Sequence, residues 1–195
     1  MMTALFSLLF IAGLVAIDQL LKLLVVINYP ECKYAIVKYF NFNIGNFKVF
    51  SLTHIRNDGA GWSILGGQTV FLTVFTTVVI VGLALYLILK FRKIKSLEII
   101  SICLIISGGF GNLIDRLRML IEGTDRFAGV IDYFKLEFID FPVFNFADCC
   151  VVVGAILFCI VMICDEIGES RRKKKAERLL SAALSEEQKD SDESL

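Results

Sequence analysis

One histidine, His54, stands among 195 residues, which excludes any metal site built from several imidazoles. It falls in a strand-like run, where a packing or hydrogen-bonding role is expected. The six cysteines form no metal-binding or redox spacing. Cys103, Cys149, Cys150, Cys159 and Cys164 lie in or beside apolar runs, where cysteine acts as a small hydrophobe. Cys32 alone falls in a connecting segment without an obvious partner, so no disulfide framework is expected. Net charge is also missing: 20 Lys and Arg balance 20 Asp and Glu, so no overall field points to nucleic acid. No long polar stretch is available for a soluble domain. The first apolar run has no basic segment before it, and it carries Asp18 and Lys22 inside it. That is unlike a cleavable leader, and a retained helix is expected.

What the chain has in abundance is apolar surface. Hydrophobic residues make up 56% and mean hydropathy is +0.72, values of a polytopic membrane protein rather than a soluble domain. Four runs are long enough to span a bilayer, about residues 4–27, 69–89, 97–117 and 147–164. Lys90, Arg92, Lys93 and Lys95 fill the short link between the second and third. Arg171, Arg172, Lys173, Lys174 and Lys175 follow the fourth. The excess of positive charge on cytoplasmic segments then places both termini in the cytoplasm, with residues 28–68 and 118–146 facing outward. The expected fold is an all-α polytopic membrane protein of four transmembrane helices with a small outward β-rich segment. Residues 1–167 form the membrane domain and 168–195 a charged cytoplasmic tail, helical near Arg178-Leu179-Leu180 and frayed beyond.

The β-rich reading rests on Tyr34 to Phe40 and Lys48 to Ile55, rich in aromatic and β-branched residues, with a turn signal at Asn43-Ile44-Gly45-Asn46 between them. A sheet there would lie on the outer membrane surface, its aromatics in the interfacial zone; a loop packed on the helices is the alternative. Gly59-Ala60-Gly61-Trp62-Ser63 and Gly66-Gly67 make a flexible, close-packing approach to the second span.

Ionisable residues in or beside membrane spans are costly, roughly 3 kcal/mol at full depth, and mark function by default. Asp148 opens the fourth span. Asp132 lies in the outward segment before it. Asp18 and Lys22, four apart, share a helix face; they read either as a structural ion pair or as ligand contacts, with Lys22 able to reach a head group or a peptide carbonyl. Gly108, Gly109 and Gly111 make a small-residue packing face. Asn112, Asp115 and Arg116 follow on one helical side, where Arg116 is suited to clamp a carboxylate or an oxyanion and Asp115 and Arg116 alternatively anchor the helix end. If Asp132 and Asp148 meet, they form the two-carboxylate arrangement that shares one proton in aspartic proteases, one acid activating water and the other donating to the carbonyl.

These residues fall into five ordered blocks: Asp18-Gln19 with Lys22; Thr53-His54-Ile55-Arg56-Asn57-Asp58-Gly59-Ala60; Gly108-Gly109 with Gly111-Asn112-Leu113-Ile114-Asp115-Arg116; Val130-Ile131-Asp132-Tyr133; and Phe144-Asn145-Phe146-Ala147-Asp148. In them the chain resembles the lipoprotein signal peptidases, signal peptidase II, over nearly its full length up to the tail. The resemblance implies an aspartyl endopeptidase of the bacterial inner membrane, its site at the outer face. Such an enzyme cleaves diacylglyceryl-modified prolipoproteins just before the lipidated cysteine. It implies Asp132 and Asp148 as the catalytic pair, with Asn57, Gly59, Asn112, Arg116 and Asn145 binding substrate or steadying the intermediate. Asp18, Lys22 and Asp115 would support the site. No metal or other cofactor is implied, and the expected partners are prolipoprotein and membrane phospholipid, with the enzyme a monomer.

The sequence departs from the family pattern at Gly61-Trp62, in a longer stretch from Met119 to Gly129, and in its charged tail. Because of the longer stretch, Asp115 is the alternative to Asp132, followed by Asp125 and Asp140. A proton- or ion-coupled transporter using Asp18, Asp115 and Asp148 is the competing function, and a membrane scaffold a third. A relay needs carboxylates spread through the bilayer, whereas these cluster at outer helix ends.

Overall fold

The structure, a computed structural model, describes residues 2–32, 36–58, 68–90, 93–122 and 129–193, with backbone alone at 2–3 and 178–193. Its helices are α1 (Met2–Asn28), α2 (Thr69–Lys90), α3 (Ser96–Glu122) and α4 (Phe146–Glu193). The strands β1 (Phe40–Ile44) and β2 (Phe47–Asn57) follow α1, and β3 (Val130–Leu136) lies between α3 and α4. All four helices are long and apolar enough to cross a membrane. Even α2, with 22 residues, reaches about 33 Å at 1.5 Å per residue, enough for a hydrocarbon layer of ~30 Å. The expected four-span architecture with a small sheet is what forms.

Composition decides which helix is central. Leu8, Leu20, Val74, Ile88 and Val152 of α1, α2 and α4 are exposed, an outer surface suited to lipid. In the most apolar window of α3, 61% is buried, against 17%, 11% and 22% in α1, α2 and α4. Ile99, Ile102, Ile106 and Leu113 of α3 pack with Ile80 and Leu87 of α2 in the main core. On its other side α3 carries small residues, and there it meets α4 and α1. A Cβ on Gly108 would sit 2.2 Å from the Ala147 carbonyl oxygen, and one on Gly111 would sit 2.6 Å from Asp18 Oδ2. A larger residue would strike the α4 backbone at Gly108 and the Asp18 side chain at Gly111; small residues bring membrane helices together in this way.

The sheet is antiparallel, in the order β1-β2-β3. β1 and β2 form a hairpin turning at Gly45, whose φ of 59° lies in the left-handed region that glycine tolerates. Strand structure begins at Phe40, so Ile36 to Lys38 are irregular rather than extended pairing residues; residues 33–35 and the glycine-rich stretch 59–67 lie outside the described residues. Phe40, Phe42, Ile44 and Phe47 project exposed apolar groups from the hairpin.

Three features differ from expectation. The segment 118–146 is not only loop: Val130-Ile131-Asp132-Tyr133-Phe134-Lys135-Leu136 has the β-branched and aromatic content of a strand, and β2 supplies its hydrogen-bonding partners. α3 continues past 117 to Glu122. α4 runs unbroken to Glu193 instead of ending near 164 and restarting. After Cys164 the chain is rich in Glu, Lys, Arg, Ala and Leu and has no proline, so nothing but Gly168 opposes helix propagation. An ion pair between Lys95 and Asp165 ties α4 to the start of α3 at that end.

Gly108→Leu should therefore lower the thermal unfolding midpoint in detergent, by an overpacking penalty of about 1–3 kcal/mol or more. Gly82→Leu is the control, since nothing lies within 4 Å of a Cβ there. Equal midpoints for the two variants would mean that α3 and α4 do not approach closely at Gly108.

Candidate active site

The site is assembled at the first turn of α4. Asn145 precedes the helix and accepts the Asp148 amide through Oδ1 at 3.0 Å, while the Asn145 amide donates to Asp148 Oδ2 at 3.0 Å. This reciprocal arrangement is a capping box, here with Asp in place of Glu. It is readable in the sequence as Asn-Phe-Ala-Asp ahead of an apolar run. Asp148 thus has a fixed side chain at a helix N-terminus. Its other oxygen, Oδ1, accepts from Asn112 Nδ2 of α3 at 2.8 Å.

Strand β3 brings the second carboxylate. Phe134 and Phe144 exchange backbone hydrogen bonds of 2.8 and 3.0 Å, which pins β3 beside the residue preceding the cap. The Phe146 amide donates to Tyr133 Oη at 3.2 Å. Asp132, one residue earlier in β3, accepts from Asn145 Nδ2 at 2.7 Å and from Asn57 Nδ2 at 3.0 Å. Asn57 reaches it because Ile55 pairs with Asp132 in the sheet, and the residue two further along β2 projects from the same face. Asp132 is 2% exposed. Burial, and after it the negative charge of Asp148, push its carboxyl up to about 7, against the hydrogen bonds of Asn57 and Asn145 and the charge of Lys22.

Both carboxylates open on one cavity of about 640 Å³, which Asn57, Asn112 and Arg116 also line. Phe75 and Val79 of α2 and Val152 of α4 form its apolar wall. Polar donors converging at one end of an otherwise apolar cavity are the usual form of a substrate site.

Behind the pair lies a buried charge cluster. Lys22 Nζ is 2.9 Å from Asp18 Oδ2, 2.8 Å from Asp115 Oδ2 and 3.0 Å from Asn112 Oδ1. Lys22 and Asp18 are each 1% exposed and Asp115 4%. Three ammonium protons meet three close acceptors, and the Gly111 carbonyl lies further off at 3.4 Å. Losing one partner of such a pair leaves an uncompensated buried charge, at about 3–5 kcal/mol.

Asp132, Asp148, Asn57, Asn112, Asn145 and Arg116 are therefore brought together. Asp115 faces Lys22 and not the pair, so Asn112, Asp115 and Arg116 do not act as one group. Lys22 Nζ is engaged by Asp18, Asp115 and Asn112. Asp140 is exposed; Gly59 and Asp125 lie outside the described residues. His54 Nδ1 donates to the Tyr29 carbonyl at 2.8 Å, and all six cysteines are free thiols. Sequence reasoning assigned no role to Gln19 or Tyr133. Gln19 Nε2 lies 3.2 Å from both Asp18 Oδ2 and the Gly111 carbonyl, and Tyr133 holds the start of α4. Their signal was their place beside Asp18 and Asp132 in the blocks that carry the family resemblance. Among the described residues no group of three or more side chains is placed to hold a metal.

With this geometry in hand, comparison with known proteins is direct. The family model described as signal peptidase (SPase) II matches residues 10–164. The lipoprotein signal peptidase of Enterococcus faecalis is 37% identical over 131 residues, covering 65% of this chain and 76% of the relative. That of Streptococcus pyogenes is 39% identical over 154 residues, 76% of this chain and 87% of the relative. Among solved structures, a bacterial membrane enzyme determined by the in meso method superposes with a TM-score of 0.67 at 26% identity, covering 83% of this chain and 89% of that one.

Asn145→Ala removes the cap and a donor to Asp132 together. Loss of the cap alone should lower stability by about 0.5–2 kcal/mol, readable in detergent-solubilised protein by thermal or denaturant unfolding. Unchanged stability would mean that the capping box does not hold the start of α4.

Proposed function

The chain belongs to the signal peptidase II family, and from that premise we propose that it cleaves through an aspartyl dyad formed by Asp132 and Asp148. As a member of that family it is a multi-pass membrane peptidase that removes signal peptides from prolipoproteins. The cut falls just before the diacylglyceryl-modified cysteine. The observation that carries the dyad is the Asn145 residue, which donates to both carboxylates where they line a single cavity.

In this mechanism Asp132 holds the proton and Asp148 the charge. The Asp148 carboxylate takes a proton from water as the water oxygen bonds to the scissile carbonyl carbon, and Asp132 gives its proton to the carbonyl oxygen. The tetrahedral diol collapses when the proton now on Asp148 passes to the leaving nitrogen and the C–N bond breaks. Asp132 recovers its proton from the diol, and the dyad is restored. Asn112 steadies Asp148, Asn57 and Asn145 steady Asp132, and Arg116 supplies a guanidinium for a peptide carbonyl or the developing oxyanion. Fixed donors of this kind are worth several kcal/mol in a site closed to water. Asp18, Lys22 and Asp115 support the pair from behind, and Gly59 stays assigned to the substrate approach. No metal or cofactor enters.

The substrate arrives through the membrane. Each buried acyl methylene contributes ~0.8 kcal/mol, so two chains hold a prolipoprotein in the bilayer and reduce the search for the dyad to two dimensions. The basic clusters at 90–95 and 171–175 lie at the end of α2 and within the second half of α4, away from the first turn of α4 that carries the site. Family membership suggests the bacterial inner membrane, and the positive-inside rule then puts both termini in the cytoplasm and the dyad at the outer face. The exposed aromatics of the β1–β2 hairpin then meet phospholipid. The enzyme acts as a monomer, and nucleic acid is not a partner.

Asp132→Asn and Asp148→Asn should each reduce cleavage of a diacylglyceryl-prolipoprotein by at least ~100-fold while leaving the unfolding midpoint near that of the parent enzyme. Turnover by a well-folded Asp132→Asn variant would remove it from the mechanism.

The pH profile follows from the sign of the Asp132 shift. Its carboxyl, raised to about 7, keeps its proton below that pH and loses it as the pH rises through it. Above about 7, kcat/KM should then fall toward ~10-fold per pH unit. A profile that stays flat up to pH 9 would be incompatible with a protonated Asp132.

A further inference from the structure

We infer that Lys22 is a positioning residue for the dyad: by donating to Asn112 Oδ1 it fixes which way the Asn112 amide faces, and so holds the Asn112 amino group on Asp148. This rests on the aspartyl reading given above and adds a role for a residue outside the dyad cavity.

The inference follows from counting donors and acceptors. An asparagine amide has one accepting end and one donating end, and its neighbours decide which faces which way. Asn112 Oδ1 receives Lys22 Nζ and Asn145 Nδ2, both at 3.0 Å, and Asn112 Nδ2 donates to Asp148 Oδ1 at 2.8 Å. Turned over, the amide would set its amino group against an ammonium and a second amino group, and its oxygen against a carboxylate. Every contact would be repulsive. A lysine ammonium has no accepting capacity, so it permits only the observed orientation.

The two amides of the site are anchored separately. Asn145 is fixed by the helix start, since its Oδ1 accepts the Asp148 amide. The Asn112 side chain is oriented by other side chains, Lys22 and Asn145 at its oxygen and Asp148 at its amino group, and Lys22 is the charged donor among them. Lys22 is fixed in turn by Asp18 of its own helix and Asp115 of α3. With Lys22 removed, Asp18 keeps Gln19 and the Ala147 amide as donors and Asp115 the Ile131 amide, but both lose their shared cation and compete with Asp148 for the Asn112 amino group. The amide is then free to turn away from Asp148.

Lys22 does not line the dyad cavity. It lies instead on the wall of a separate cavity of about 430 Å³, together with Gln19, Arg56 and Arg118. A change at Lys22 reaches the reaction from behind the site, through the orientation of Asn112 and through its charge, which lowers the Asp132 carboxyl. Below the pH at which Asp132 ionises only the first route remains, and there the change should alter turnover while leaving substrate binding little changed.

The test is a double-mutant cycle on cleavage of a diacylglyceryl-prolipoprotein, using Lys22→Met, Asn112→Ala and the pair. Methionine keeps the length of the side chain and removes its donors. Lys22→Met should lower kcat by about 100-fold, the scale of a misplaced catalytic group, with KM little changed. In the Asn112→Ala background the same substitution should cost almost nothing more, because the group it positions is already gone. If Lys22→Met does not fold, Asp115→Asn/Lys22→Met, which deletes one charge of each sign, takes its place in the cycle. Unaltered kcat in a folded Lys22 variant would overturn the inference, as would losses that multiply independently with Asn112→Ala. Failure of the dyad itself would show separately, as cleavage by Asp132→Asn or Asp148→Asn enzyme.

Discussion

The first three amides of α4 each find an acceptor in a different part of the chain, and the position of both aspartates follows. Phe146 donates to Tyr133 of β3, Ala147 to Asp18 of α1 at 3.1 Å, and Asp148 to Asn145 beside it. A helix leaves these groups without internal partners, and at membrane depth an unpaired one costs several kcal/mol. Satisfying them draws α1, β3 and the cap to one point. It also consumes the helix N-terminus, so donors to the substrate must come from side chains. That explains a site furnished with amides and an arginine.

Charge balance explains the rest of the arrangement. Asp18, Asp115, Asp132 and Asp148 gather around two cations, Lys22 and Arg116. Two positive charges leave a surplus of carboxylate in a buried setting, and such a surplus is relieved by keeping a proton. Asp132, buried in β3 and facing Asp148, is where burial and charge act together. The buried cluster around Lys22 and the Asp132–Asp148 pair are thus one electrostatic system, divided by the Asn112 side chain.

Much of this was legible without coordinates. Four apolar runs give four spans because bilayer thickness sets helix length. The capping box was written as Asn145 to Asp148, and the spacing of Asp18 and Lys22 placed them on one face. Gly108 and Gly111 signalled a close helix contact, though not its partners. The third strand was obscured because its pairing partner, β2, lies far back in the chain beyond two helices, and a strand pattern does not name its partner. The length of α4 was obscured because the end of an apolar run was taken for the end of a helix, and hydropathy reports the membrane boundary rather than the hydrogen-bonded one.

Sequence alone determined which segments cross the membrane, which ends carry positive charge, and which few polar residues stand where polar residues are expensive. It did so because these properties are local, set by composition and by periods of a few residues. Tertiary structure alone decided that Asp132 meets Asp148, that Asp115 turns to Lys22, and that Asn57 reaches Asp132 across the sheet. Those outcomes depend on the Phe134–Phe144 bridge and the pairing of Ile55 with Asp132, contacts between residues far apart in the chain. No spacing rule encodes such contacts, because they are settled by how the helices and strands fit around the glycines of α3.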